Sequence, residues 1–150
     1  MKEKDRVMVE DFREALHRPG ILATYIERAR PILIEVAKQR KTITYGNLMN
    51  RLGWHGRRYI GHVVGRISEM EYENRRLRLS AVVVRADTGM VGGGFLGLPK
   101  TPENVRRSTP EEWQKPKLSA AEEKYWRAEL ERVYDYWCDK GISKGCQGEA

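Results

Sequence analysis

The chain predicts a mainly α fold with a small β-hairpin, and three stretches carry that prediction. Two apolar-periodic segments, TYGNLMNRL and RRYIGHVVGRISEMEYEN, are separated by the short break GWHG. The run RLRLSAVVV follows and is apolar without alternation toward its end, as in a buried strand. ADTGMVGGGF then supplies turn chemistry and a glycine run. Helix, tight turn, helix, strand and hairpin in that order form the pattern of a winged helix-turn-helix. Residues 1–41 read as an N-terminal helical support, 42–98 as this core, 99–118 as a polar arm, and 119–150 as a C-terminal packing helix and tail, all in one domain.

Val9 to His17 has Val9, Phe12, Ala15 and Leu16 at helical spacing, and Arg18-Pro19-Gly20 supplies a stop. Ile21 to Arg40 is strongly helical, with Leu22, Tyr25, Ile26, Ala29, Leu33, Val36 and Ala37 on one side. Pro31 predicts a kink there or two helices that meet, because proline lacks the N–H and clashes with the preceding turn. Thr44 is a suitable N-cap for Tyr45 to Leu52, and Gly53 suits its stop. The next helix, from about Arg57 to Tyr72, buries Ile60, Val63, Val64 and Ile67. Its other face carries Arg58, Gly61, His62, Gly65 and Glu69. Two glycines there cost about 1 kcal/mol each against alanine. Close approach of a neighbouring helix or of a nucleic-acid backbone would explain them.

Leu79 to Val84 is the strand, Asp87-Thr88-Gly89 the turn, and Met90-Val91 the returning partner. Gly92-Gly93-Gly94 reads as a flexible wing tip, since no GK[ST] or following helix supports a phosphate loop. In the arm, Thr109, Pro110 and Glu112 occupy N-cap, N1 and N3 of a short helix. Ser119 and Glu122 form a capping box for the last helix, whose Trp126, Leu130, Val133 and Trp137 share one face. That stripe suits core packing or a dimer or partner interface.

At 150 residues the chain supports one domain with a true core. It contains no apolar run near the ~20 residues of a membrane span, and its first segment is too charged for a secretory signal. A soluble, cytoplasmic protein is expected. Cys138 and Cys146 stand without a second pair or a histidine cluster, which predicts a buried thiol and a tail thiol rather than a metal site. Net charge is +7. Residues 42–98 hold eight basic residues against four acidic ones, and all eight are arginine. The planar arginine fork suits phosphates and base edges.

With those elements placed, the segment resembles the C-terminal winged-helix domain of O6-alkylguanine-DNA alkyltransferases and the related alkyltransferase-like proteins. Thr44-Tyr45-Gly46 matches the family's first-helix motif, and Arg58-Tyr59-Ile60-Gly61 matches its recognition-helix motif R-A-V-G. Gly65-Arg66 fits the end of that helix, and Leu79–Val84 stands where P-C-H-R-V-V would. The resemblance implies minor-groove binding, with Tyr45 against a phosphate, Arg58 entering the duplex, and Gly61 and Gly65 permitting close approach. It does not carry the chemistry. The Cys-His-Arg positions are Ser80, Ala81 and Val82 here, so neither thiolate nor activating histidine is present.

The expected function is a non-catalytic DNA-binding protein without cofactor or metal. Its expected contacts are Tyr45, Arg51, Arg57, Arg58, Gly61, His62, Gly65, Arg66, Arg85 and Gly92, Gly93 and Gly94, with Arg75, Arg76 and Arg78 as further backbone contacts. The alternative is a regulatory or inhibitory protein-interaction module that uses the aromatic C-terminal helix and a mobile arm. Catalysis is not expected: Ser80 lacks a nucleophile elbow, and Glu69, Glu71 and Glu73 read as a solvated helix surface.

Overall fold

The computed structural model describes residues 19–53 and 60–141. The expected Val9–His17 helix, Arg57, Arg58, Cys146 and the Gly145–Ala150 tail lie outside the described residues. The element order is α1 (Pro19–Lys38), β1 (Ile43–Thr44), α2 (Tyr45–Leu52), α3 (Ile60–Arg75), a 3₁₀ segment (Leu79–Val82), β2 (Val83–Val84), α4 (Gly93–Leu96), α5 (Pro110–Gln114) and α6 (Ala120–Gly141). The described chain is therefore mainly helical, with one two-stranded parallel sheet. Among the described residues no helix is long and apolar enough to cross a membrane.

Helix α1 opens on Pro19 and runs through Pro31 as one helix. The packing of Ile26, Ala29, Leu33, Val36 and Ala37 into the core offsets the lost backbone hydrogen bond. Helix α2 begins where Thr44 Oγ1 accepts from the Asn47 N–H at 3.1 Å and ends at Gly53, whose φ of 69° suits glycine. It buries Leu48, Met49 and Leu52. Helix α3 buries Ile60, Val63, Val64 and Ile67 as their spacing requires, and it extends three residues past the expected end to Arg75.

Every residue from Leu79 to Val84 is buried. The expected continuous strand is corrected, however: the first four residues form a 3₁₀ turn, and only Val83 and Val84 pair, in parallel with Ile43 and Thr44. The physical reason is where the backbone groups are satisfied. The Ala81 N–H donates to the Arg78 carbonyl, and the Ala81 carbonyl accepts from the Trp126 indole N–H at 2.9 Å. Those groups are then not available to a ladder. The expected antiparallel hairpin is corrected too. Arg85 N–H donates to the Met90 carbonyl and Gly89 N–H to the Arg85 carbonyl, which closes a tight turn, but Met90 and Val91 form no strand.

The aromatic stripe of α6 faces this chain's own core. Trp126, Leu130 and Val133 are 2%, 7% and 0% exposed, and Trp137 is half-buried. Trp126, Leu130 and Val133 are thus taken up by this chain's own core, where α1 and the 3₁₀ segment pack against α6, and are not open to the expected dimer or partner interface. The capping box is as expected, with Glu122 N–H to Ser119 Oγ at 3.2 Å and Ser119 N–H to Glu122 Oε1 at 2.8 Å. Cys138 is disulfide-bonded, which corrects the expected free thiol.

The Trp126–Ala81 bond gives a direct test. Trp126→Phe keeps most of the apolar volume but leaves the Ala81 carbonyl buried without a donor, at a cost of about 1–3 kcal/mol. Urea unfolding should show a lower midpoint at unchanged slope. An unchanged midpoint would show that the bond contributes nothing.

Candidate functional site

A cleft of about 580 Å³ opens between α3 on one side and α4, α5 and the segment leading into the arm on the other. Six of the expected contact residues line it: Tyr45 from α2, Gly61, His62, Gly65 and Arg66 from α3, and Gly94 from α4. Gly61 has open space at the position of a Cβ, and Gly65 has only a Leu98 methyl at 3.8 Å. Among the described residues no neighbouring helix crowds either glycine.

The cleft is mostly apolar, with Val64, Phe95, Leu98, Pro99 and Trp113 among its walls. Ser80 also lines it. This serine is 5% exposed, and among the described residues its hydroxyl has no hydrogen-bond partner. A ligand group placed there would find a donor or an acceptor as needed. Sequence reading passed over Ser80 because it looked only for a nucleophile. Arg66 and Glu69 pair at 3.2 Å on the rim, where solvent screens the interaction. Burial pushes the Tyr45 hydroxyl above its ordinary pKa, and the nearby Arg85 guanidinium partly opposes that shift.

The other expected residues divide differently. Arg85 is held by Asp87 through two hydrogen bonds of 2.9 and 2.7 Å. Arg51 lies outside this cleft, on a second one. Arg78 is not a surface contact: it is 2% exposed, donating to the Pro99 carbonyl with its guanidinium 4.1 Å from the Tyr72 ring centroid, whereas Arg75 is exposed and pairs with the buried Glu71 at 2.7 Å. Arg76, which is exposed, lies 5.3 Å from the same ring centroid. The expected role of Arg78 as a backbone contact is corrected accordingly.

The glycine run is also corrected. Gly92 and Gly93 are buried, and only Gly94 is exposed. A Cβ on Gly93 would lie 2.0 Å from the Trp113 carbonyl oxygen, and one on Gly97 would lie 2.6 Å from the Trp113 indole nitrogen. These positions seat Trp113 rather than a wing tip. Trp113 itself remains 42% exposed at the cleft.

One arginine holds that seat in place. Arg107 is 4% exposed and uses all five N–H groups: two bonds of 2.9 Å to the Glu122 carboxylate, and bonds to the carbonyls of Glu112, Lys115 and Lys117 at 2.7, 2.7 and 3.0 Å. Its own carbonyl accepts from the Trp113 indole N–H. The arm, expected to be mobile, is thus tied to the start of α6. The Arg107 guanidinium holds the Glu122 carboxyl below the usual carboxylate range, against the opposing effect of burial.

Among the described residues no group of three or more His, Cys, Asp or Glu is arranged to hold a metal ion. Comparison with protein-family models, curated proteins and solved structures found no significant match for the chain.

Two tests follow from the arm. Gly93→Ala must displace backbone of α5, so it should cost about 1–3 kcal/mol and shift the Trp113 indole NMR signal, whereas Gly94→Ala meets open space and should leave that signal in place. Equal behaviour of the two variants would refute the seat. Glu122 has a depressed folded pKa, so its contribution is full above about pH 4.3 and is lost as pH falls further. Acid titration should therefore release Trp113, and Glu122→Gln should abolish that pH dependence.

Proposed function

We propose that this protein is a non-catalytic DNA-binding protein whose contact surface is the α2–α3 helix pair and the mouth of the 580 Å³ cleft. The observation that carries the reading is convergence: Tyr45, Gly61, His62, Gly65, Arg66 and Gly94, singled out from sequence as nucleic-acid contacts, line one concave site. Gly61 and Gly65 leave the α3 surface low enough for a nucleic-acid backbone to approach closely. Arg57 and Arg58, just before α3, supply the charge and the fork that phosphates and base edges accept. The helix pair acts as a helix-turn-helix of the alkyltransferase-like kind, without a hairpin wing.

Reaction chemistry is not part of the reading. A serine nucleophile needs a hydrogen-bonded base, and the Ser80 hydroxyl has no hydrogen-bond partner among the described residues. Ser80 serves instead as a polar contact inside an otherwise apolar cleft.

The test is a binding titration of duplex DNA across salt concentrations. Affinity should fall linearly on a log–log scale, and Arg58→Ala should weaken binding by roughly 1–3 kcal/mol, about 5- to 150-fold. Absence of binding at low salt, or an affinity indifferent to salt, would refute the proposal.

A further inference from the structure

Thirteen arginines have described side chains, and twelve of them are engaged. They donate to carboxylates, to carbonyl oxygens, or lie over an aromatic ring. Arg51, exposed in the last turn of α2, is the one with no such partner among the described residues. It borders a second cleft of about 360 Å³, at the junction of the α1 C-terminus, β1 and α2.

The Lys41 ammonium borders the same cleft and likewise has no partner among the described residues. Asn47 and Asn50 of α2 also line it, and their carboxamides are without a partner among the described residues. Among the described residues no carboxylate lines the cleft. Glu35 accepts from the Gln39 amide at 3.2 Å, while Glu131 and Asp135 are taken by Arg40. The cleft thus gathers two uncompensated positive charges and four amide N–H donors in one concavity.

Its frame is rigid. Lys41 N–H donates to the Val36 carbonyl at 3.2 Å, and the Tyr134 hydroxyl donates to the Lys41 carbonyl at 2.8 Å. Thr44 and Gly53 cap α2 at both ends. A site whose backbone is already fixed loses little freedom when it is occupied.

We infer that this cleft binds a phosphate group, with Arg51 and Lys41 neutralising its charge and Asn47 and Asn50 donating to its oxygens. Arginine offers two parallel bonds to such a group and lysine a point charge, a combination that favours phosphate over a single halide or carboxylate contact. Tyr45 lies on the opposite side of α2 from Asn47, Asn50 and Arg51, as 100° per residue requires. Helix α2 therefore stands between the two clefts. In the DNA reading, on which the polynucleotide form of this inference rests, the second cleft takes a backbone phosphate away from the Tyr45 cleft.

The experiment uses the full chain, its Arg51→Ala, Arg51→Lys and Lys41→Ala/Arg51→Ala variants, duplex DNA, and inorganic phosphate as a separate probe. If the cleft holds one backbone phosphate, Arg51→Ala combined with Lys41→Ala makes the slope of log affinity against log salt shallower by about 0.9, and Arg51→Lys restores most of it. Inorganic phosphate should shift the NMR side-chain signals of Asn47 and Asn50 in the parent and not in the double variant. Phosphate-induced shifts with an unchanged salt slope, or with no DNA binding at all, assign the cleft to a free phosphate or small phosphate ester, and in the latter case the DNA proposal falls while this one stands. An unchanged slope with no phosphate-induced shift overturns the inference. Unchanged Trp113 and Trp126 indole signals in each variant verify that the fold is intact.

Discussion

The structure depends on the burial of one short segment, Leu79–Val84. It is surrounded by α1, α3 and α6, and none of its residues is more than 5% exposed. A fully buried backbone must find partners for all its polar groups, and each unsatisfied one would cost about 1–3 kcal/mol. The solution here is composite. A 3₁₀ turn takes the first groups, the Trp126 indole takes the Ala81 carbonyl, and β1 takes the edge of Val83 and Val84. The Ser80 hydroxyl is left over, and it is left at the cleft.

That segment also decides where the clefts fall. Pairing with Ile43–Thr44 positions the N-cap of α2, so Tyr45 begins the helix beside the first cleft and Arg51 ends it beside the second. On the far side of the first cleft, the arm is shaped by a second buried polar centre. Arg107 converts three carbonyls and one carboxylate into a single anchor, and the absence of side chains at Gly93 and Gly97 lets Trp113 lie against α4. A buried charge of this kind is tolerable because every N–H is used.

Charge in the middle of the chain is less available than its arginine content implies. Arg75 and Arg30 share the buried Glu71, Arg78 is enclosed with Tyr72, and Arg85 is bound by Asp87. Among the described residues, folding commits these arginines to partners within the chain. Among the described residues, Arg51 and Lys41 border the second cleft and Arg66 the rim of the first.

Local signals in the sequence determined several helix ends, though not the extension of α3 to Arg75 or the short helix α4. The Thr44, Thr109 and Ser119 caps and the Gly53 stop depend on hydrogen bonds three or four residues apart, and the core faces of α2 and α3 follow from helical spacing. Convergence of Tyr45, Gly61, Gly65 and Arg66 on one site was also legible, because those residues sit on two adjacent helices. Only the tertiary structure decided the rest. Whether Leu79–Val84 paired with Met90–Val91 or with Ile43–Thr44 depended on a Trp126 donor 45 residues away. Whether Gly93 was a wing tip or a seat depended on Trp113, and whether Arg51 or Arg78 was free depended on which aromatic rings and carbonyls folding brought near. Residue type announces what a side chain can bind, but long-range packing determines which of those capacities is already used.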